Sequence, residues 1–240
     1  MEYVECGDLS QYITDRKKAL AGAKTITRQI LEGLVILHGE GICHRDLKPQ
    51  NILVASRIPL HIKIADFGTS KRAENTVLRT MLGTPAYSAP ELTASSMSQF
   101  TNALDIWSLG ILVHEVLTSK RPFFDQAAYD EDSGKISGVV SSSTTKPLTQ
   151  ANSPLLFGYY YGNIEFPVDD LVTSGASPEA ICFVRGLLAA NPEDRPAALE
   201  AFKDVWLHID HPECTRMDDW LKSLESELSV LGIDLKLKED

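Results

Sequence analysis

The stretch His44-Arg45-Asp46-Leu47-Lys48-Pro49-Gln50-Asn51 is the most constraining feature of this 240-residue sequence. It concentrates two strong cations, a carboxylate and two amides in one short polar segment bounded by apolar runs. Upstream, Lys24 to His38 carries Ile26, Ile30, Leu31, Leu34, Val35 and Leu37 in one helical stripe, with Gly39 and Gly41 as stop signals. Downstream, Asn51 to Val54 and His61 to Ala65 are β-prone runs either side of Ser56-Arg57-Ile58-Pro59, a hairpin pattern. Asp66-Phe67-Gly68 follows at once. A polar loop is thus fixed between a helix end and a hairpin.

The other segments read as mostly helical. Leu9 to Ile13 has helical spacing, and Asp105 to Thr118 is apolar enough for a buried helix that Arg121-Pro122 should end. Ser177 caps a helix that opens on Pro178 and runs through Leu188. Another covers Ala197 to Val205. In the tail, Trp220, Leu221, Leu224, Leu228 and Leu231 share one face of an amphipathic helix over Met217 to Leu231. Between Asp125 and Leu156 the periodicity fails around Ser141-Ser142-Ser143-Thr144-Thr145, which reads as a surface loop or a disordered insertion.

Composition excludes some classes. Hydrophobic residues at 43% and charged residues at 23% are globular rather than disordered values. A net charge of −10 argues against a nucleic-acid surface and leaves room for basic substrates. The four cysteines are scattered, with no CxxC pair, which fits a reduced, intracellular (cytoplasmic or nuclear) protein. Met1 to Asp8 has neither the basic nor the apolar region of a signal peptide. The longest apolar run, Ile106 to Leu117, is broken by Ser108, Gly110, His114 and Glu115, so no membrane partner is expected.

Taken in order, His44 to Asn51, Asp66-Phe67-Gly68, Gly83-Thr84-Pro85-Ala86-Tyr87-Ser88-Ala89-Pro90-Glu91, Asp105-Ile106-Trp107-Ser108-Leu109-Gly110 and Arg195 resemble the catalytic domain of eukaryotic Ser/Thr protein kinases. Glu74 to Thr84 is most similar to the calmodulin-dependent and checkpoint-type group. The resemblance implies a mainly α, protein-kinase-like fold. It would comprise the C-terminal lobe with a small β-hairpin, the N-terminal lobe missing. It implies a partial kinase domain over residues 1–207, with an insertion at 125–156, and a tail over 208–240.

Residue roles follow from the same resemblance. Asp46 would accept the acceptor hydroxyl's proton, and Lys48 would neutralise charge on the transferring phosphoryl oxygens. Asn51 and Asp66 would hold Mg²⁺, a hard cation that prefers oxygen. Thr84 would hydrogen-bond Asp46 and Lys48, and the Lys48–Thr84 combination favours Ser/Thr over Tyr as acceptor. Met1-Glu2-Tyr3-Val4 resembles the hinge between kinase lobes; ATP would meet backbone at Glu2 and Val4, ribose at Asp8, and Leu53 under the adenine. The bland alternative for the hinge segment is an ordinary terminus. His44, Arg45, Glu91, Asp105 and Arg195 read as scaffold: Asp105 bracing the loop, Glu91 pairing with Arg195, His44 packing on Phe67.

Thr76 and Thr80 become candidate sites for an activating kinase, their phosphates pairing with Arg45. Asp8 and Glu115 suggest protein substrates with Arg upstream of the acceptor, while Gln50 is neutral where some such kinases are acidic. The sequence departs from the family in lacking G-x-G-x-x-G, a β3 lysine and an αC glutamate, the parts that hold the ATP phosphates. Little activity is therefore expected of the chain alone, and Leu53 and Ile64 should lie on an exposed apolar seam. The rival reading is a catalytically inactive, truncated kinase acting as a binding or regulatory module. A small-molecule kinase is disfavoured by Gly83 to Glu91. His208, His211 and Cys214 supply too few ligands for a metal site.

Overall fold

The computed structural model describes residues 4–72, 84–94, 102–123, 129–130, 135–136 and 154–208. Helices dominate. Helix α1 (Leu9–Tyr12) is capped by Asp8, whose carboxylate accepts from the Ser10 and Gln11 backbone N–H groups. Helix α2 (Arg16–Gly39) begins a full two turns before the apolar stripe. Its start is set by Asp15, whose side chain accepts from Lys18 N–H, and by Arg16, Lys17 and Lys18, good helix formers whose charges the stripe criterion overlooks.

Strands β1 (Ile42–Cys43) and β4 (Lys71–Arg72) form one small antiparallel ladder. Strands β2 (Ile52–Arg57) and β3 (Leu60–Ile64) form another, with Ile52 opposite Ile64 and Val54 opposite Ile62. The hairpin is tighter than its sequence pattern: Ser56 and Arg57 belong to β2, leaving Ile58-Pro59 as the turn. Val54 N–H reaches Gly7 O at 2.9 Å, and Asp8 bridges Leu53, so the chain's opening segment is tied to β2.

Helix α4 (Ala103–Thr118) runs through the core, with nearly every side chain buried. Ser119, in the left-handed region at φ 60°, ends it before Arg121-Pro122 is reached; its N–H returns to Glu115 O. Trp107 stacks on Phe123 at 5.8 Å, and Phe123 on Tyr159 at 4.9 Å. At Gly110 a Cβ would stand 2.7 Å from the Leu188 side chain, so this glycine permits the close approach of the following helix pair.

Helix α3 (Glu91–Ala94) precedes α4. The segment read as a loop over 125–156 contains the short ladder of β5 (Tyr129–Asp130) with β6 (Lys135–Ile136), and it gives way to helix α5 (Pro154–Tyr160) sooner than expected. Leu156 is buried in the core, which the run of polar residues before it conceals. The remainder of that segment lies outside the described residues. Helix α6 (Asp169–Ser174) had no clear sequence signal. Helix α7 (Pro178–Leu187) starts as expected, with Ser177 Oγ accepting from Ala180 N–H. The helix anticipated over Ala197 to Val205 is two: α8 (Ala198–Phe202) and α9 (Val205–His208), parted at Lys203-Asp204.

Helix α2 packs against α4, α8 and β3, so one core serves the whole described body. Leu53 and Ile64 are half-buried rather than exposed, and Ile64 packs on that core. Just beyond β3, Phe67 is exposed at 49%, one of several exposed large apolar side chains among the described residues. No helix among the described residues is long and apolar enough to cross a membrane.

Candidate active site

Asp46 sits in the loop between β1 and β2 at the centre of a closed hydrogen-bond cluster. Lys48 Nζ donates to Asp46 Oδ2 at 2.7 Å and to Thr84 Oγ1 at 2.7 Å. Thr84 donates to Asp46 Oδ1 twice, from Oγ1 and from its backbone N–H, both at 2.9 Å. Asn51 Nδ2 donates to Asp46 O at 2.7 Å and to Oδ2 at 3.0 Å. Burial is the largest influence on the Asp46 carboxyl and raises its pKa; hydrogen bonds from Lys48 and Thr84, with the Lys48 charge, outweigh it and hold the group below its usual value. The cluster keeps an ionised carboxylate aimed and ready.

Each partner arrives from a separate element. The turn Pro49–Asn51 begins at Lys48 and buries Asn51. Thr84 lies 38 residues from Asp46 in sequence and caps the turn Pro85–Tyr87. Asp66 reaches the site through the β2–β3 hairpin. Ala65 N–H donates to Asn51 O at 2.8 Å, extending the ladder by one pair and setting Asp66 beside Asn51. Asp66 itself adopts φ 62°, ψ 70°, and its carboxylate accepts from Gly68 N–H. A left-handed aspartate is uncommon, and here it turns the backbone out of the hairpin.

Behind the loop, Asp105 of α4 is fully buried and accepts from His44 N–H and Arg45 N–H, both at 2.8 Å. Arg45 holds φ 69°, a conformation costing roughly 1–3 kcal/mol unless its surroundings impose it. The two N–H bonds to Asp105 impose it. His38, at the end of α2, adds an Nε2 contact to Asp105 at 2.9 Å. Burial raises the Asp105 pKa most, yet the His38 contact and the two backbone donors pull it below its ordinary value. His38 is the supporting residue that sequence reasoning missed. It marked only a helix end, and its one signal was an imidazole at the last turn of an otherwise apolar stripe. His44 packs edge-on against Phe67 at 5.3 Å.

A second anchor lies farther along. Arg195 grips Glu91 with both terminal nitrogens, at 2.7 and 2.9 Å, donates to Ala103 O and Ala189 O, and lies over the Trp107 ring at 4.8 Å. It ties the segment after Thr84 to the core.

Of the nucleotide set, Asp8 and Leu53 are brought side by side by their bridge, with Val4 in the same opening segment. The Asp8 carboxylate is also the cap of α1, a role the sequence pattern did not reveal. Glu2, Thr76 and Thr80 lie outside the described residues. Glu115 already has a partner: Tyr87 Oη donates to it at 2.6 Å, and burial raises its pKa. His208 contacts Phe202 O at 2.9 Å and packs on the Phe202 ring, a structural role. The described residues contain no cluster of metal-ligating side chains beyond pairs. Asn51 and Asp66 are nonetheless two neighbouring oxygen donors, a set that suits Mg²⁺, which keeps several waters and takes the rest of its shell from phosphates.

Comparison with known proteins gives the arrangement a context. The family model described as "Protein kinase domain" matches residues 1–207. Serine/threonine-protein kinase 17A of Oryctolagus cuniculus is 36% identical over 212 residues, covering 86% of this chain and 46% of that protein. A probable myosin light chain kinase of Dictyostelium discoideum is 32% identical over 236 residues, 96% of this chain and 66% of that protein. Serine/threonine-protein kinase cds1 of Schizosaccharomyces pombe is 33% identical over 215 residues, 87% of this chain and 41% of that protein. The chain therefore spans roughly half the length of these relatives. The crystal structure of the Rad53 kinase domain and SCD2 in complex with AMPPNP superposes with a TM-score of 0.60 at 29% identity, covering 86% of this chain and 67% of that one. The fold and the relatives agree with the motifs: this chain belongs to the protein kinase family, of the Ser/Thr type.

Proposed function

We propose that this chain supplies the catalytic lower half of a protein kinase that transfers the γ-phosphoryl group of ATP to Ser or Thr in proteins. The observation that carries the reading is the Asp46 cluster, in which one carboxylate is ionised, oriented by Thr84 and Asn51, and paired with a lysine. Phosphoryl transfer asks the protein for positioning and charge stabilisation more than for covalent chemistry. Asp46 would take the hydroxyl proton, and Lys48 would exchange its present partners for the phosphoryl oxygens. With Asn51 Nδ2 turned onto Asp46, its carbonyl oxygen is the atom to meet Mg²⁺ beside Asp66. The metal would neutralise charge on the phosphates. Asp8, Val4, Glu2 and Leu53 would line the nucleotide's adenosine end.

The groups that hold the α- and β-phosphates from above have no counterpart in the 240 residues. Residues outside this chain would furnish that roof, and the same gap supports the alternative reading of an inactive binding module. Substrates with Arg upstream of the acceptor fit Asp8, which has a free edge beyond its capping bonds; Glu115 serves less well because Tyr87 already holds it. Phosphorylation at Thr76 or Thr80 by an activating kinase would order the segment leading to Thr84.

The test is Mg-ATP binding and peptide phosphorylation by the purified chain, alone and within its longer protein, each beside Asp66→Ala. Activity abolished by Asp66→Ala in the longer protein supports the proposal. Activity that persists in Asp66→Ala, or absence of Mg-ATP binding in the longer protein, rejects it in favour of the binding module.

A further inference from the structure

His114 of α4 is a titratable group with no part in the catalytic cluster. It is 1% exposed, and its ring is built into the turn that ends the helix. Nδ1 lies 2.8 Å from Lys120 O, and since a carbonyl only accepts, Nδ1 carries the ring's proton. Nε2 is buried and has no hydrogen-bond partner among the described residues. Lys120 N–H donates to Thr118 Oγ1 at 3.0 Å, so His114 and Thr118 hold Lys120 by its carbonyl and its N–H. The segment they hold contains two left-handed residues other than glycine, Ser119 at φ 60° and Phe123 at φ 61°. Such backbone persists only where its surroundings impose it.

The charges around the ring do little to help it take a second proton. Asp170 of α6 favours the charged ring and Lys120 opposes it, and those two are paired with each other at 2.6 Å. From α2, Arg16 reaches the same turn through Ser119 Oγ at 3.3 Å and adds another cation. Helix α7, packed on α4, buries apolar Phe183, Val184 and Leu187, and on α4 itself Glu115 is held by Tyr87 Oη. Burial is the largest influence and keeps the ring below its ordinary pKa, hence neutral. Protonation would set an N–H at Nε2 with no acceptor, a cost relieved when the ring leaves Lys120 O for water. The strained turn then loses its hold. It matters to the site because Pro122 and Phe123 share a small cleft with Pro85, Ala86 and Ser88, the segment that follows Thr84. Thr84 bonds Asp46, so a peptide presenting its hydroxyl to Asp46 passes close to that segment. We propose that His114 is a proton switch: in mild acid its ring releases Lys120, residues 119–123 and α6 loosen, and acceptor-peptide binding weakens. The link to the peptide rests on the phosphoryl-transfer reading above.

Hydrogen exchange on the full protein containing this chain tests the switch between pH 7.5 and 5.5, with His114→Gln beside it. The probes are the amides of Ser119, bonded to Glu115 O at 2.7 Å, of Lys120, and of Val172 in α6. In the open form the ring titrates near its ordinary value of about 6.5. Below that, once intrinsic exchange is divided out, protection should fall about tenfold per pH unit in the wild type and stay level in His114→Gln. The Michaelis constant for a Ser peptide free of His, Asp and Glu should rise at least threefold over the same range. That for Mg-ATP should not move, and neither should change in His114→Gln. Probe amides that stay protected to pH 5.5 would overturn the proposal, as would the same loss in His114→Gln, which would assign it to another group. Should His114→Gln fail to fold, ring ¹⁵N shifts of the wild type decide: a charged His114 ring beside protected amides overturns the switch. A level peptide Michaelis constant with loosened amides overturns it equally. Absence of phosphorylation at every pH strikes the kinase reading instead, and the amides still judge the switch.

Discussion

Two carboxylates, Asp46 and Asp105, lie back to back in this protein, and both are held below their ordinary pKa by donors that outweigh burial. Asp46 takes most of its hydrogen bonds from side chains, Lys48, Thr84 and Asn51, and keeps one backbone donor in Thr84 N–H. Asp105 is wholly buried and takes two backbone N–H groups plus the His38 ring. Side-chain donors can change partner when a substrate arrives, whereas backbone donors cannot leave without unfolding the loop. One cluster is therefore built to exchange its contacts, and the other to forbid exchange.

The contrast is sharpest in mutation. Asp105→Ala should destabilise the protein by about 3–5 kcal/mol, since it frees two buried N–H groups and the strained Arg45 backbone together. Thermal or urea unfolding would show it, and a loss under 1 kcal/mol would break the distinction between the two carboxylates. Asp46→Asn should behave oppositely, lowering the phosphorylation rate of the active protein about 10²–10⁴-fold while shifting stability little. Equal damage to stability would put Asp46 in the structural class.

Next in size is Gly110→Ala. Its Cβ would press on Leu188 at 2.7 Å, so α4 and α7 must separate, at a cost of about 1–3 kcal/mol in the same unfolding assay.

Acid should lower the protein's stability in two windows of pH. His114 is lowered mainly by burial, so its unfolded form binds a proton first, and stability declines as pH falls below about 6.5. Asp46 and Asp105, also lowered, contribute stability that is full above about pH 4 and is lost as pH falls through their folded values. His114→Gln should flatten the first window and leave the second. The smallest effect is expected at Lys120, whose 2.6 Å contact with Asp170 is exposed: Lys120→Ala should cost no more than about 1 kcal/mol, and less in high salt.

Much of the site was readable from sequence because its chemistry is local. Asp46, Lys48 and Asn51 lie within six positions, and one loop brings them together. The Thr84 and Arg195 contacts were also anticipated, through family likeness, since spacing alone carries no information across 38 or 104 residues. Local rules did less well at edges. The charged start of α2 hid from an apolar stripe, and α4 stops at a left-handed Ser119 that no proline announced.

What the sequence determined by itself is the set of candidate catalytic groups, the α2 and α4 stripes, the hairpin and the α7 cap, all written in neighbouring residues. The tertiary structure alone decided that His38 would join Asp105, that Tyr87 would occupy Glu115, and that Leu156 would enter the core. Those are pairings between distant residues, and their energies depend on burial and direction, which exist only once the chain has packed.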